Sequence, residues 1–114
     1  MDFDLNTEQK MIKKTVRELM RKKIEPVAEE IDKHDRFPEG IWEALGDMGL
    51  LGIGIPEPYG GSGLDMLCFV LAVEQMARTC PGLALSYVAH VNLCCHNLTH
   101  NASEEIKQKY LPGL

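Results

Sequence analysis

His96 and His100 stand four residues apart with Cys95 beside the first, a run of ligand types that could hold a zinc ion. On a helix the two imidazoles share one face, but Cys95 points about 100° away from His96. No carboxylate lies nearby, and two ligands do not close a tetrahedral site, so the pair reads as hydrogen-bonding histidines with no metal. Tyr59-Gly60-Gly61-Ser62-Gly63 has the glycine content of a phosphate cradle. It lacks the Lys-Ser/Thr of a P-loop and follows no clear strand, so it reads as a tight structural turn. Ser62 and Ser86 have no histidine at a spacing that defines a triad, and Glu57 and Glu74 are lone carboxylates without a visible partner. By its own residues the chain offers no catalytic group, no cofactor site and no metal site.

Those residues must be placed by a modest scaffold. The 114 residues suffice for one domain spanning residues 1–114, and 45% hydrophobic with 25% charged is an ordinary globular balance. A net charge of −5 argues against a nucleic-acid partner. The one basic cluster, from Lys10 through Lys13, Lys14, Arg17, Arg21 and Lys22 to Lys23, is interleaved with Glu8 and Glu18 and reads as a solvated helix face. The start, Met-Asp-Phe-Asp-Leu, is acidic where a signal or transit segment would be basic, which predicts a mature or cytoplasmic form. Cys68, Cys80, Cys94 and Cys95 fall inside apolar helical patterns and are expected as reduced thiols.

Apolar periodicity predicts an all-α fold, an orthogonal or up-down bundle of about five helices with no strand. The first helix starts at a cap on Asn6 or Thr7 and carries Ile12, Val16, Leu19, Met20, Ile24, Val27 and Ile31; Pro26 should kink or break it near Glu25. Pro38 is expected in the first turn of a second helix with Ile41, Trp42, Leu45 and Met48 on its apolar face, stopped by Gly49. A glycine- and proline-rich ordered loop follows to Gly63. The third helix opens at Asp65 and runs to about Thr79, Cys80-Pro81-Gly82 breaks it, the fourth spans about Leu83 to His100, and the fifth runs from Ser103 to Leu111.

The fourth helix is the informative one. From Thr79 to Ser103 there is no Asp, Glu, Lys or Arg, which marks a helix buried on most sides. Its many polar side chains, Tyr87, His90, Asn92 and Thr99 among them, exclude a membrane span. At 100° per residue, Leu83, Tyr87, Val91, Cys94 and Leu98 with Ala84, Val88 and Cys95 form a broad apolar side. Leu85, Ser86, Ala89 and Leu93 fall on the opposite side, with His96 and His100 continuing that stripe. Four other short helices are too few to enclose both sides, so the second side is expected to face another domain or a ligand, and the chain to be part of a larger protein.

Five strings then stand in register. They are Leu5-x-x-Glu8-Gln9, Ile24-x-Pro26-x-Ala28-x-Glu30, Phe37-Pro38-x-x-x-Trp42-x-x-Leu45-Gly46-x-x-Gly49-Leu50-Leu51-Gly52-Ile53, Ile55-Pro56-Glu57-x-Tyr59-Gly60-Gly61-Ser62-Gly63, and Ser103-Glu104-Glu105-x-Lys107-x-Lys109-Tyr110-Leu111-Pro112. In order and spacing they resemble the amino-terminal domain of acyl-CoA dehydrogenases. Gly82-Leu83-Ala84-Leu85-Ser86-Tyr87-x-Ala89-His90-x-Asn92-Leu93-Cys94 is similar to the isovaleryl-CoA dehydrogenase branch, from which Val88, Val91 and Ala102 depart. The resemblance implies the first domain of a three-domain flavoenzyme whose central β domain and carboxy-terminal helical domain lie outside this chain. It implies the pocket wall around the acyl group at Leu85, Ser86, Ala89 and Leu93, the small Ala89 leaving room for a branch and Leu85 limiting chain length.

The reaction implied is loss of an α proton to a glutamate outside this chain and transfer of the β hydride to FAD, giving a trans-2-enoyl-CoA. By the same resemblance the partners are an acyl-CoA substrate, electron-transfer flavoprotein and three further subunits of a homotetramer, in a mitochondrial matrix, where leucine breakdown and fatty-acid β-oxidation run, or a bacterial cytoplasm. These 114 residues alone are then expected to be inactive and to hold no FAD. An acyl-CoA oxidase, or a standalone helical interaction module without catalysis, shares the same signature over this length.

Overall fold

The computed structural model describes residues 2–114, and among these every regular element is helical. α1 spans Thr7–Leu19, α2 Ala28–His34, α3 Ile41–Asp47, α4 Met66–Thr79, α5 Pro81–Val88, α6 Asn97–Asn101 and α7 Glu104–Tyr110. A π turn at Met20–Ile24 and a 3-10 turn at Glu25–Val27 join α1 to α2, and a π-helical run at Ala89–His96 joins α5 to α6. Taken as continuous rods these are five helices, as periodicity predicts.

Helix starts carry the expected chemistry. Asn6 caps α1 by accepting from the Gln9 amide at 2.8 Å, while Gln9 Oε1 accepts from the Asn6 amide at 3.0 Å, a reciprocal capping box. The Gln9 side chain also donates to Asp65 Oδ2 at 2.9 Å, and Asp65 Oδ1 accepts from the Cys68 amide at 2.9 Å to cap α4. One buried glutamine therefore aligns the starts of the two longest helices, which pack on each other. These bonds to its ionised form hold the Asp65 carboxyl below its usual range, the Cys68 amide bond first.

Pro26 acts where the sequence places it. Lacking an N–H, it sits in the 3-10 turn, and the rod passes from α through π to 3-10 before α2 resumes at Ala28. Two boundaries differ from the sequence reading. Pro38 is buried in a turn before α3, which starts only at Ile41 after Gly40 at φ 74°, and Met48 is exposed because α3 has ended at Asp47. Pro81 opens α5 as its first residue instead of breaking the chain, since proline's fixed φ suits a first helical turn.

The main core gathers Val16, Met20 and Ile24 from the first rod, Ile41 and Leu45 from α3, Leu50 and Ile53 from the loop, Cys68, Ala72 and Met76 from α4, and Leu83 and Tyr87 from α5. A smaller cluster of Ile55, Cys95 and Leu111 fastens the loop to the carboxy-terminal end. The loop is built by its own backbone. Ser62 N–H donates to Gly52 O at 3.0 Å, Gly63 N–H to Ile55 O at 2.9 Å and Leu64 N–H to Ile53 O at 2.8 Å, while Ser62 Oγ donates to Gly49 O at 2.9 Å. Gly61 lies so close to Ile55 that a Cβ there would overlap the Ile55 carbonyl and side chain. Gly61→Ala is accordingly expected to lower unfolding free energy by about 1–3 kcal/mol, read as a lower urea midpoint at unchanged slope.

Candidate functional site

Tyr87 positions the uncharged rod. Its ring is 0% exposed, its hydroxyl donates to Leu50 O at 2.7 Å, and its ring lies 5.8 Å from that of Phe69 at 40°. Burial pushes the phenol well above its usual pKa, so it stays a neutral donor. Leu83, Ala84, Val91 and Cys95 share this buried side. Cys94, which ideal helical angles place beside Cys95, is only partly buried. The difference follows from the π-helical run: it takes more residues per turn, so each residue advances by less than the α-helical value of about 100°.

The opposite side is open. Leu85 is 71% exposed and Leu93 68%, Ala89 between them is exposed and Ser86 is half-buried at the margin. Two leucines and an alanine on successive turns give a flat apolar strip. The Ser86 hydroxyl donates to Gly82 O at 3.2 Å, its own preceding turn, which leaves it no base to act with.

His96 and His100 do not continue that strip. They line a groove of about 240 Å³ with Asn92 and Val91, facing Gly54, Ile55, Leu64, Asp65, Met66 and Phe69 across it. Their ring centroids lie 4.2 Å apart with the planes tilted by 55°, while Cys95 turns inward to within 3.4 Å of His90 Nε2, so the three do not converge on one point. Burial pushes the Cys95 thiol up to about 11 and the Cys68 thiol to about 11, which keeps both protonated and unreactive. All four cysteines are free.

Glu57 and Glu74 are exposed and remain apart from the strip and the groove lining, and Ser62 serves the loop. Tyr59 donates to both carboxylate oxygens of Glu104, at 2.7 and 2.8 Å, anchoring the glycine turn to the start of α7. The sequence reading missed this bond and the aromatic contact of His90 with Trp42, centroids 5.4 Å apart and rings at 87°. Neither had a periodic signal, because each joins segments far apart in the chain. The amides of Gly61, Ser62 and Gly63 all donate to backbone carbonyls, so the turn has no free donors for an anion.

His90 makes the helix pH-sensitive. Burial lowers its pKa, only partly offset by a backbone bond at Leu51. The unfolded chain takes up this proton near the ordinary value of about 6.5 while the folded chain resists it. Stability is therefore full above that pH and falls as pH drops through it. His90→Gln is expected to flatten the decline in Tm between about pH 7 and 5.5; an unchanged slope contradicts the assignment.

Residues 6–114 match the family described as acyl-CoA dehydrogenase, N-terminal domain. The mitochondrial isovaleryl-CoA dehydrogenase of Solanum tuberosum is 44% identical over 108 residues, covering 93% of this chain and 26% of that protein. A short-chain-specific acyl-CoA dehydrogenase of Clostridium acetobutylicum is 38% identical over 114 residues, 100% of this chain and 30% of the relative. The solved butyryl-CoA dehydrogenase of Megasphaera elsdenii superposes with a TM-score of 0.93 at 32% identity, over 98% of this chain and 30% of that one. The chain thus spans under a third of the length of these relatives. A family match over almost every residue, on a helical fold shared with the solved enzyme, makes this chain a member of the acyl-CoA dehydrogenase family, as its amino-terminal domain.

Proposed function

We propose that the protein carrying this chain is an FAD-dependent acyl-CoA dehydrogenase that oxidises a short or branched acyl-CoA, of the isovaleryl type, to the trans-2-enoyl-CoA. Residues 1–114 form its first domain, and Leu85, Ser86, Ala89 and Leu93 form the wall against the acyl group. The open strip of Leu85, Ala89 and Leu93 carries this reading: an apolar face on an uncharged helix needs a cover, and an acyl chain is apolar. The names of the Solanum and Clostridium relatives support the substrate range.

In this reading the strip excludes water and orients the acyl end, while acid–base chemistry belongs to residues beyond this chain. The glycine turn does not fit the phosphates of FAD, because its amides are already bonded, and the proposal assigns the flavin to the rest of the protein. Electron-transfer flavoprotein as acceptor, a homotetramer, and a mitochondrial matrix or bacterial cytoplasmic location complete the proposal; no described helix is long and apolar enough to cross a membrane.

The test is a substrate panel on the full-length protein, from butyryl-CoA and isovaleryl-CoA to octanoyl-CoA. Highest kcat/KM is expected for a short or branched substrate. Ala89→Leu, on an exposed position that folding does not need, should lower kcat/KM for isovaleryl-CoA by about 10–200-fold through the added bulk. A preference for octanoyl-CoA, or no effect of Ala89→Leu, overturns the pocket assignment.

A further inference from the structure

A second cleft, of about 300 Å³, lies between the carboxy-terminal ends of α1 and α4 and is lined by none of the strip residues. Arg17, Arg21 and Arg78 line it, together with Gln75, Glu25 and Thr79. Three guanidiniums face one carboxylate there, so the local field is positive.

Gln75 lies at its floor, 2% exposed. Its Oε1 accepts from Arg17 Nη1 at 3.4 Å and from Arg78 Nη1 at 3.4 Å. Guanidiniums only donate, so the amide oxygen must face them and the amide nitrogen must face elsewhere. That nitrogen, buried, has no hydrogen-bond partner. Buried donors without acceptors are rare in folded proteins. Here one is accompanied by two long, weak bonds from guanidiniums that share a single neutral oxygen, leaving most of their donors free. What the cleft lacks is an acceptor, and the acceptor that suits forked guanidiniums is a charged oxygen group.

We propose that this cleft is an oxyanion site, taking a phosphate or carboxylate group between Arg21, Arg78 and Arg17, whose donors the single Gln75 oxygen leaves largely free. The basic run of α1 and the π turn after it is then divided in role: Arg17 and Arg21 face this cleft with Arg78 of α4, and the lysines remain a solvated face.

The experiment is thermal unfolding of the full-length protein titrated with inorganic phosphate, against sodium chloride and sodium acetate at matched ionic strength. Phosphate is expected to raise Tm along a saturating curve that chloride does not reproduce. Acetate matching phosphate identifies a carboxylate-type ligand, and acetate falling short identifies a phosphate group; both support the site. The double variant Arg21→Gln/Arg78→Gln, at two exposed positions, should fold and lose the phosphate shift. Gln75→Glu supplies the missing charged acceptor from within at nearly the same volume, so it should also lose the shift while keeping its Tm. A phosphate shift equal to that of chloride, or one undiminished in the double variant, overturns the proposal. Neither result bears on the acyl-chain specificity, which is read separately from the substrate panel.

Discussion

The buried hydroxyl of Tyr87 on the Leu50 carbonyl is the contact through which the uncharged helix becomes part of a fold. A helix without ionised side chains has no electrostatic preference for which side meets water, and its rotation is open until something directional sets it. Tyr87 provides that direction: its ring needs the core, and its hydroxyl needs an acceptor inside it. The acceptor comes from the loop after α3, whose backbone is locked by Gly61 and Ser62. With Tyr87 inward, Leu83, Val91 and Cys95 must follow, and Leu85, Ala89 and Leu93 must face out.

That rotation explains why the strip is open and not simply unfinished. Burying Leu85 and Leu93 would each yield about 1.5–3 kcal/mol, yet turning the helix to do so would expose Tyr87 and strand its hydroxyl. The fold resolves the conflict in favour of the tyrosine and leaves two leucines for another surface. A family whose members extend to more than three times this length supplies such surfaces in plenty. The π-helical run from Ala89 to His96 adds a second consequence, because its slower rotation carries His96 and His100 off the strip into the neighbouring groove.

Polar groups divide the same way. Among the described residues Gln9 and Gln75 are the buried amide side chains, and both lie between α1 and α4. Gln9 is satisfied at both ends of its amide, by Asn6 and Asp65, and aligns helix starts. Gln75 is satisfied only at its oxygen. Two identical side chains thus differ by one acceptor, and that difference separates a structural clamp from a candidate site.

The sequence by itself determined the helical class, the five rods, the cap at Asp65, the break at Pro26 and the stop at Gly49, because each depends on neighbours within a few residues: apolar period, a capping oxygen, a missing N–H, a positive φ. The division of the fourth helix into a buried and an open side was legible too, from the residues one turn apart. Tertiary structure alone decided the rest. Cys94 and the two late histidines were misplaced because a π-helical run leaves no mark in periodicity, and the contacts of Tyr59 with Glu104, of His90 with Trp42 and of Gln75 with Arg17 join residues at least 45 positions apart. Local spacing carries information about a turn of helix; which two helices place an orphan amide among three arginines is settled only when the chain has closed on itself.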